Sequence, residues 1–91
     1  MVELEFDSAK SAANRAKHGI DFQEAQRLWE DAGLIILPSK YPAESRFLAI
    51  GRIAEKLWTA LFTERGNQIR LISVRRARSE ERLLYERNQR R

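Results

Sequence analysis

The chain has 91 residues, 43% hydrophobic and 33% charged, a balance that fits one small folded domain and excludes disorder by composition. It has no cysteine and a single histidine, which excludes disulfides, thiolate chemistry and a metal site built from imidazoles. The net charge of +4 is unevenly spread: residues 1–64 carry eight Lys/Arg against ten Asp/Glu, a net of −2, and residues 65–91 carry nine Arg against three Glu, a net of +6.

Val2-Glu3-Leu4-Glu5-Phe6 alternates apolar and acidic residues, which predicts a half-buried strand. The same stretch lacks the basic-then-apolar pattern of a secretory signal, and no apolar run approaches the ~18 residues of a bilayer span, so a cytoplasmic protein is expected. Asp7 caps a predicted helix over 8–18, with Ala9, Ala12, Ala13 and Ala16 as its packing face. Gly19 closes it, after Lys17 and His18 in a last turn where positive charge suits the helix dipole. Asp21-Phe22-Gln23-Glu24 reads as a capping box opening a second helix, buried through Phe22, Ala25, Leu28 and Trp29 and ended by Gly33. The two helices are expected to form a hairpin.

Leu34-Ile35-Ile36-Leu37 predicts a short strand closed by Pro38, followed by a polar loop over 39–45. Strands are then expected at 46–53, 57–63 and 68–75, joined by turns at 54–56 and 64–67 as consecutive antiparallel hairpins. Ser79 caps a last helix with Glu80 and Glu81 in its first turn, fraying over 88–91. The order predicts a single α+β domain over 1–91: an N-terminal strand and helix hairpin, a mostly antiparallel sheet of about four strands, and a C-terminal helix.

Strict alternation along the last strand puts Ile69, Leu71, Ser73 and Arg75 on one face and Arg70, Ile72, Val74 and Arg76 on the other. In the following helix Arg78, Glu81, Arg82, Tyr85 and Gln89 share one stripe. Guanidinium groups grip phosphate bidentately, so this half of the chain fits a polyanionic partner. The same residues also read as arginines reaching solvent from a buried strand, and as an ordinary surface charge network. His18 carries the one side chain that ordinarily titrates near neutrality, which makes it a candidate for acid–base work, although a helix C-terminus equally uses such a residue as a cap. One histidine excludes a two-imidazole mechanism, and the sequence holds no Gly-rich phosphate loop or G-x-S-x-G elbow. Trp29, Trp58 and Phe62 read as core.

Three ordered strings carry a resemblance: Phe6-Asp7-x-x-Lys10-x-x-x-Asn14-x-x-Lys17-His18-Gly19-x-x-Phe22-x-Glu24-Ala25, then Arg46-x-x-x-Ile50-Gly51, then Ile69-Arg70-Leu71-Ile72-Ser73-x-Arg75-x-Ala77-Arg78-x-x-Glu81-Arg82-x-x-Tyr85. Over nearly its whole length the chain resembles the BrnT family. The resemblance implies a RelE-like fold and the toxin of a type II toxin–antitoxin system. It further implies a metal-independent, cofactor-free endoribonuclease that cuts RNA through 2′-OH attack and so inhibits translation and growth. The implied partner is a BrnA-like antitoxin with a ribbon-helix-helix DNA-binding domain, in a heterotetramer that reaches operator DNA only through the antitoxin; no membrane is involved. On this reading His18, Arg75, Arg78, Glu81 and Tyr85 are the catalytic candidates, and Lys17, Arg65, Arg70, Arg76 and Arg82 bind RNA phosphates. Two other readings use the same arginines: a non-catalytic co-repressor partner of the antitoxin, and a free-standing nucleic-acid-binding module.

Overall fold

The computed structural model describes residues 4–39 and 45–90. In chain order it has β1 (Leu4–Glu5), α1 (Ser8–His18), α2 (Phe22–Ala25), a 3₁₀ segment (Gln26–Glu30), β2 (Ile35–Ser39), β3 (Arg46–Ile53), β4 (Lys56–Arg65), β5 (Gln68–Arg76) and α3 (Ser79–Gln89). The strands make one five-stranded sheet in the order β1-β5-β4-β3-β2. Every pairing is antiparallel except β1 with β5, which is parallel and joins Leu4 to Ile69 and Glu5 to Arg70. The domain is α+β as expected, with the N-terminal strand added to the sheet as a fifth member. Of that predicted strand, Val2 and Glu3 lie outside the described residues, as do residues 40–44 of the predicted loop.

Both hairpin turns are two residues long, since Ile53 pairs with Lys56 and Arg65 with Gln68. Gly66 supplies the positive φ of +59° that such a turn needs, and Ala54 takes the equivalent place at +56°. The predicted turns were wider because neither Lys56 nor Glu64-Arg65 is apolar, yet each extends a ladder already fixed by its neighbours.

α1, α2 and the 3₁₀ segment cover one face of the sheet, where Phe22, Leu28, Ala49, Ala60, Phe62, Leu71 and Val74 are buried together. Trp29 meets Phe62 edge-on at 5.4 Å and Phe6 meets Phe22 at 5.7 Å, so the aromatic residues are core, as expected. α3 covers part of the opposite face through Tyr85, packed with Ile50, Leu57 and Ala77.

Five further details depart from the sequence reading. The expected alanine face of α1 is exposed; the buried residues of that helix are Ser11 and Asn14. β1 covers β5 only at Ile69 and Arg70, which leaves the backbone of β5 open at its edge further on. Asn14 closes it: its carboxamide accepts from Val74 N–H (3.0 Å) and donates to the carbonyls of Val74 (2.9 Å) and Ile20 (2.7 Å). Ser11 Oγ accepts from Phe22 N–H at 2.9 Å. Secondly, the second helix ends at Ala25 and tightens into the 3₁₀ segment, which seats Leu28 and Trp29 on the sheet. Gly51 admits this approach, because a Cβ there would come within 2.9 Å of Leu34 and 3.0 Å of Leu28.

Thirdly, Pro38 lies within β2 rather than closing it, a position open to proline because β2 is an edge strand. Fourthly, β5 is bulged. Leu61 pairs with Ser73 and Phe62 with Leu71, so Ile72 is an extra residue. The bulge breaks the alternation: Leu71 and Val74 share the helix-covered face with Arg76, while Arg70, Ser73 and Arg75 share the other. At the start of α3, Arg78 rather than Ser79 is the N-cap residue.

Candidate functional site

β4 and β5 run out from under α3 at its N-terminal end, and there the open face of the sheet forms a cleft of about 400 Å³. Leu48 and Leu61 floor it, Ser39, Thr59 and Ser73 add hydroxyls, and Arg75, Arg78 and Glu81 form its polar wall. Thr59 pairs directly with Arg75 across the ladder, which places the two side chains on the same face. The turn between β5 and α3 then brings Glu81 back over both.

Glu81 is the centre of this arrangement. Arg75 Nη1 and Nη2 donate to its two carboxylate oxygens at 2.8 and 2.9 Å, a fork-to-fork pair. Thr59 Oγ1 and the Arg78 N–H each donate to Oε1 at 2.8 Å, and the second of these caps the first turn of α3. The side chain is only 12% exposed. Burial disfavours its charge, but Arg75, the Arg78 N–H and the Thr59 hydroxyl outweigh burial and hold the carboxyl at about 2 against an ordinary 4.5. The same carboxylate raises the pKa of Arg75. At neutral pH Glu81 is a fixed anion and a weak base, suited to orienting Arg75 rather than to taking a proton. Linkage gives a sign: a depressed folded pKa contributes stability above the unfolded value, lost as pH falls from about 4.5 to about 2. Chemical-denaturation curves should therefore lose stability across that window, and Glu81→Gln should flatten this limb.

A second, shallower depression lies over the β5 edge, lined by Lys10, Lys17, His18, Ile72 and Ser73 among others. Ser73 lines both depressions, so the bulge joins the C-terminal end of α1 to the cleft. The structure thus brings together Arg75, Arg78 and Glu81 in one hollow, and Lys17 and His18 in the adjoining one.

The other predicted residues stand apart. Arg70 shares the open face but pairs with Glu5 at 3.5 Å. Arg76 lies on the helix-covered face, 5.4 Å over the Trp58 ring. Arg65 is exposed at the end of β4 and Arg82 is exposed on α3. Tyr85 is 4% exposed, does not line the cleft, and donates its hydroxyl to Asp31 Oδ2 at 2.8 Å. Burial and Asp31 raise its pKa.

Sequence reasoning missed Thr59, Ser73, Asn14 and Asp31. Thr59 is a lone hydroxyl within Leu57-Trp58-Thr59-Ala60-Leu61, a signal that could have been read. Asp31 ties three segments, accepting from Gly33 N–H (2.9 Å), Arg52 N–H (2.8 Å) and Tyr85. Its own burial opposes ionisation, but those donors lower its pKa. Among the described residues no group of three or more His, Asp or Glu is placed to hold a metal ion, and no helix is long and apolar enough to cross a membrane.

An arginine fork held by a carboxylate over an apolar floor, with hydroxyls beside it and cations on the next rim, is an arrangement that can meet an anion on a small α+β scaffold. The chain belongs to the family of ribonuclease toxins, BrnT, of type II toxin–antitoxin systems, whose sequence model matches residues 6–81. No curated protein matches it. Membership makes it a toxin of a type II system with ribonuclease activity, which agrees with the resemblance.

Proposed function

We propose that the chain is a metal-independent endoribonuclease acting at the Arg75 cleft in the cytoplasm, inhibiting translation and growth until an antitoxin covers it. Cleavage then proceeds by attack of a ribose 2′-OH on the adjacent phosphorus, with the 5′ oxygen leaving; DNA, lacking the 2′-OH, resists. The observation that carries this reading is the Arg75–Glu81 fork above the apolar floor. Arg75 receives the charge that builds on the phosphoryl oxygens, the largest electrostatic task of the reaction. Its Nε–H edge is not used by the bonds to Glu81, and Arg78 adds a second guanidinium at the mouth. His18 and Lys17, reached over Ser73, are the groups assigned to proton transfer and to the neighbouring phosphate. Glu81 acts as a positioning residue. The antitoxin partner on this reading is a BrnA-like ribbon-helix-helix protein, assembled with the toxin as a heterotetramer that carries operator binding.

The test is purified protein with single-stranded RNA in EDTA, beside the same sequence as DNA. Cleavage of RNA alone is expected, with 2′,3′-cyclic phosphate ends. Dependence on added divalent ions would overturn metal independence, and absence of cleavage beside tight antitoxin binding would establish a co-repressor role. Tyr85→Phe belongs in the same experiment. It should cost about 1 kcal/mol of stability through the lost bond to Asp31 and leave cleavage within about twofold, because the hydroxyl is turned away from the cleft.

A further inference from the structure

Among the described residues, the large hydrophobic side chains that remain exposed are Ile36 (48%), Leu83 (59%) and Leu84 (41%). Two of them, Ile36 and Leu84, line one groove. Ile35, Ile36 and Leu37 of β2 and Leu84, Arg87 and Asn88 of α3 line a groove of about 390 Å³. Leu83 and Arg87 lie on the side of α3 opposite the stripe that holds Glu81 and Tyr85, with Leu84 on its flank. Exposed apolar residues scattered singly need no explanation, whereas Ile36 and Leu84, lining one groove with the half-buried Ile35 and Leu37, mark an interaction surface.

The edge of β2 narrows what can lie there. A proline is accommodated in an edge strand with its ring nitrogen turned outward, so the outward backbone positions of β2 are Pro38 and, two residues away, Ile36. Only one of those has an N–H to give. An added strand would therefore be poorly held, and the groove better fits the apolar stripe of a helix. Charge points the same way. Arg87 stands on the groove wall, residues 65–91 carry a net of +6, and the whole chain a net of +4, which disfavours a second copy and favours an acidic partner.

The groove and the cleft are built on the same two elements, β2 and α3. Ile35 to Leu37 line the groove and Ser39 of the same strand lines the cleft; Leu84 and Arg87 line the groove and Arg78 and Glu81 of the same helix line the cleft. An occupant of the groove therefore lies along α3, whose first turn carries Glu81. From these observations we infer that the β2–α3 groove is the docking site of an acidic amphipathic helix of the antitoxin, which anchors the antitoxin beside the cleft and lets its adjoining chain close the mouth. The inference rests on the reading of the chain as an antitoxin-controlled ribonuclease.

The test uses the toxin with its cognate antitoxin, comparing wild type with Ile36→Glu, Leu83→Glu and Leu84→Glu. All three sites are exposed, so unchanged melting curves are expected. Leu84→Glu should weaken antitoxin binding by about a hundredfold, because a carboxylate would be buried against an apolar stripe beside acidic residues. RNA cleavage should persist in all three, now in the presence of antitoxin. Hydrogen exchange on the wild-type complex should show added protection over residues 35–37 and 83–87, and over a helical antitoxin segment. Three results would overturn the inference: antitoxin affinity unchanged in Leu84→Glu, absence of antitoxin binding by wild type, or wild-type dimers that Leu84→Glu converts to monomers. Loss of antitoxin binding in the variants with no RNA cleavage by wild type would leave the groove assignment standing and remove the catalytic reading instead.

Discussion

Replacing Arg75 with alanine should lower RNA cleavage by about two to three orders of magnitude, the scale seen when one preorganised charge-stabilising donor is removed. The size follows from how the side chain is held. Both terminal nitrogens are pinned by Glu81, and Glu81 is itself fixed by Thr59 and the Arg78 N–H. The guanidinium is therefore in place before substrate arrives, and little of its stabilising effect is lost to ordering the side chain. Arg75→Lys keeps the charge but loses the fork, so its defect should be of nearly the same size. Glu81→Gln supplies the control for Glu81. Its amide oxygen still accepts from Thr59 and Arg78, so Arg75 should be loosened rather than lost, and cleavage should fall by about tenfold. A positioning role also predicts that the pH–rate profile keeps its shape in Glu81→Gln, whereas loss of a general base would remove its acidic limb. Arg75→Ala protein that remains folded and cleaves within threefold of wild type would move the site elsewhere.

The architecture was largely legible because its signals are local. Asp7 and Gly19 bracket α1 as expected, and Asp21 does accept from the Glu24 N–H. β3 matches its expected span residue for residue. What escaped was set by partners distant in the chain. Nothing near Ile72 announces a bulge; it arises where β5 must satisfy β4 on one edge and α1 on the other, and it changes which arginines share a face. Alanine spacing wrongly assigned the buried side of α1, because periodicity registers apolar surface and cannot see that an open strand edge needs a carboxamide more than a methyl group. The cleft itself was half legible. The stripe on α3 did place Arg78 and Glu81 together, but the same stripe continues through Tyr85 and Gln89 into contacts with Asp31 and Gly33, so spacing could not separate the part that faces the cleft from the part that fastens the helix.

The largest loss of stability is expected from Asn14→Leu, about 4 kcal/mol, in a residue that does not itself line the cleft. Its side chain is 6% exposed and all three of its bonds are to backbone groups: Val74 N–H, Val74 carbonyl and Ile20 carbonyl. Leucine would leave a buried donor and two buried acceptors facing an apolar group, each costing about 1–3 kcal/mol. Domains of this size hold only about 5–10 kcal/mol in total, so the variant should melt about 20 °C lower and sit close to unfolding. Asn14→Asp should not rescue it, since a carboxylate can accept from Val74 N–H but repels both carbonyls. By contrast Ala13→Ser, one position away on the exposed alanine side, should change stability by less than about 0.5 kcal/mol. Hydrogen exchange gives the decisive readout. Val74 N–H should be among the slower amides of wild type and lose protection selectively in a mild variant such as Asn14→Gln, ahead of its neighbours in the β4–β5 ladder. Because Val74 lies between Ser73 and Arg75, that local opening should depress RNA cleavage by more than the unfolded fraction accounts for. A variant that melts with wild type would mean that the β5 edge is held by its ladder with β4 alone, and that the amide of Asn14 is dispensable to it.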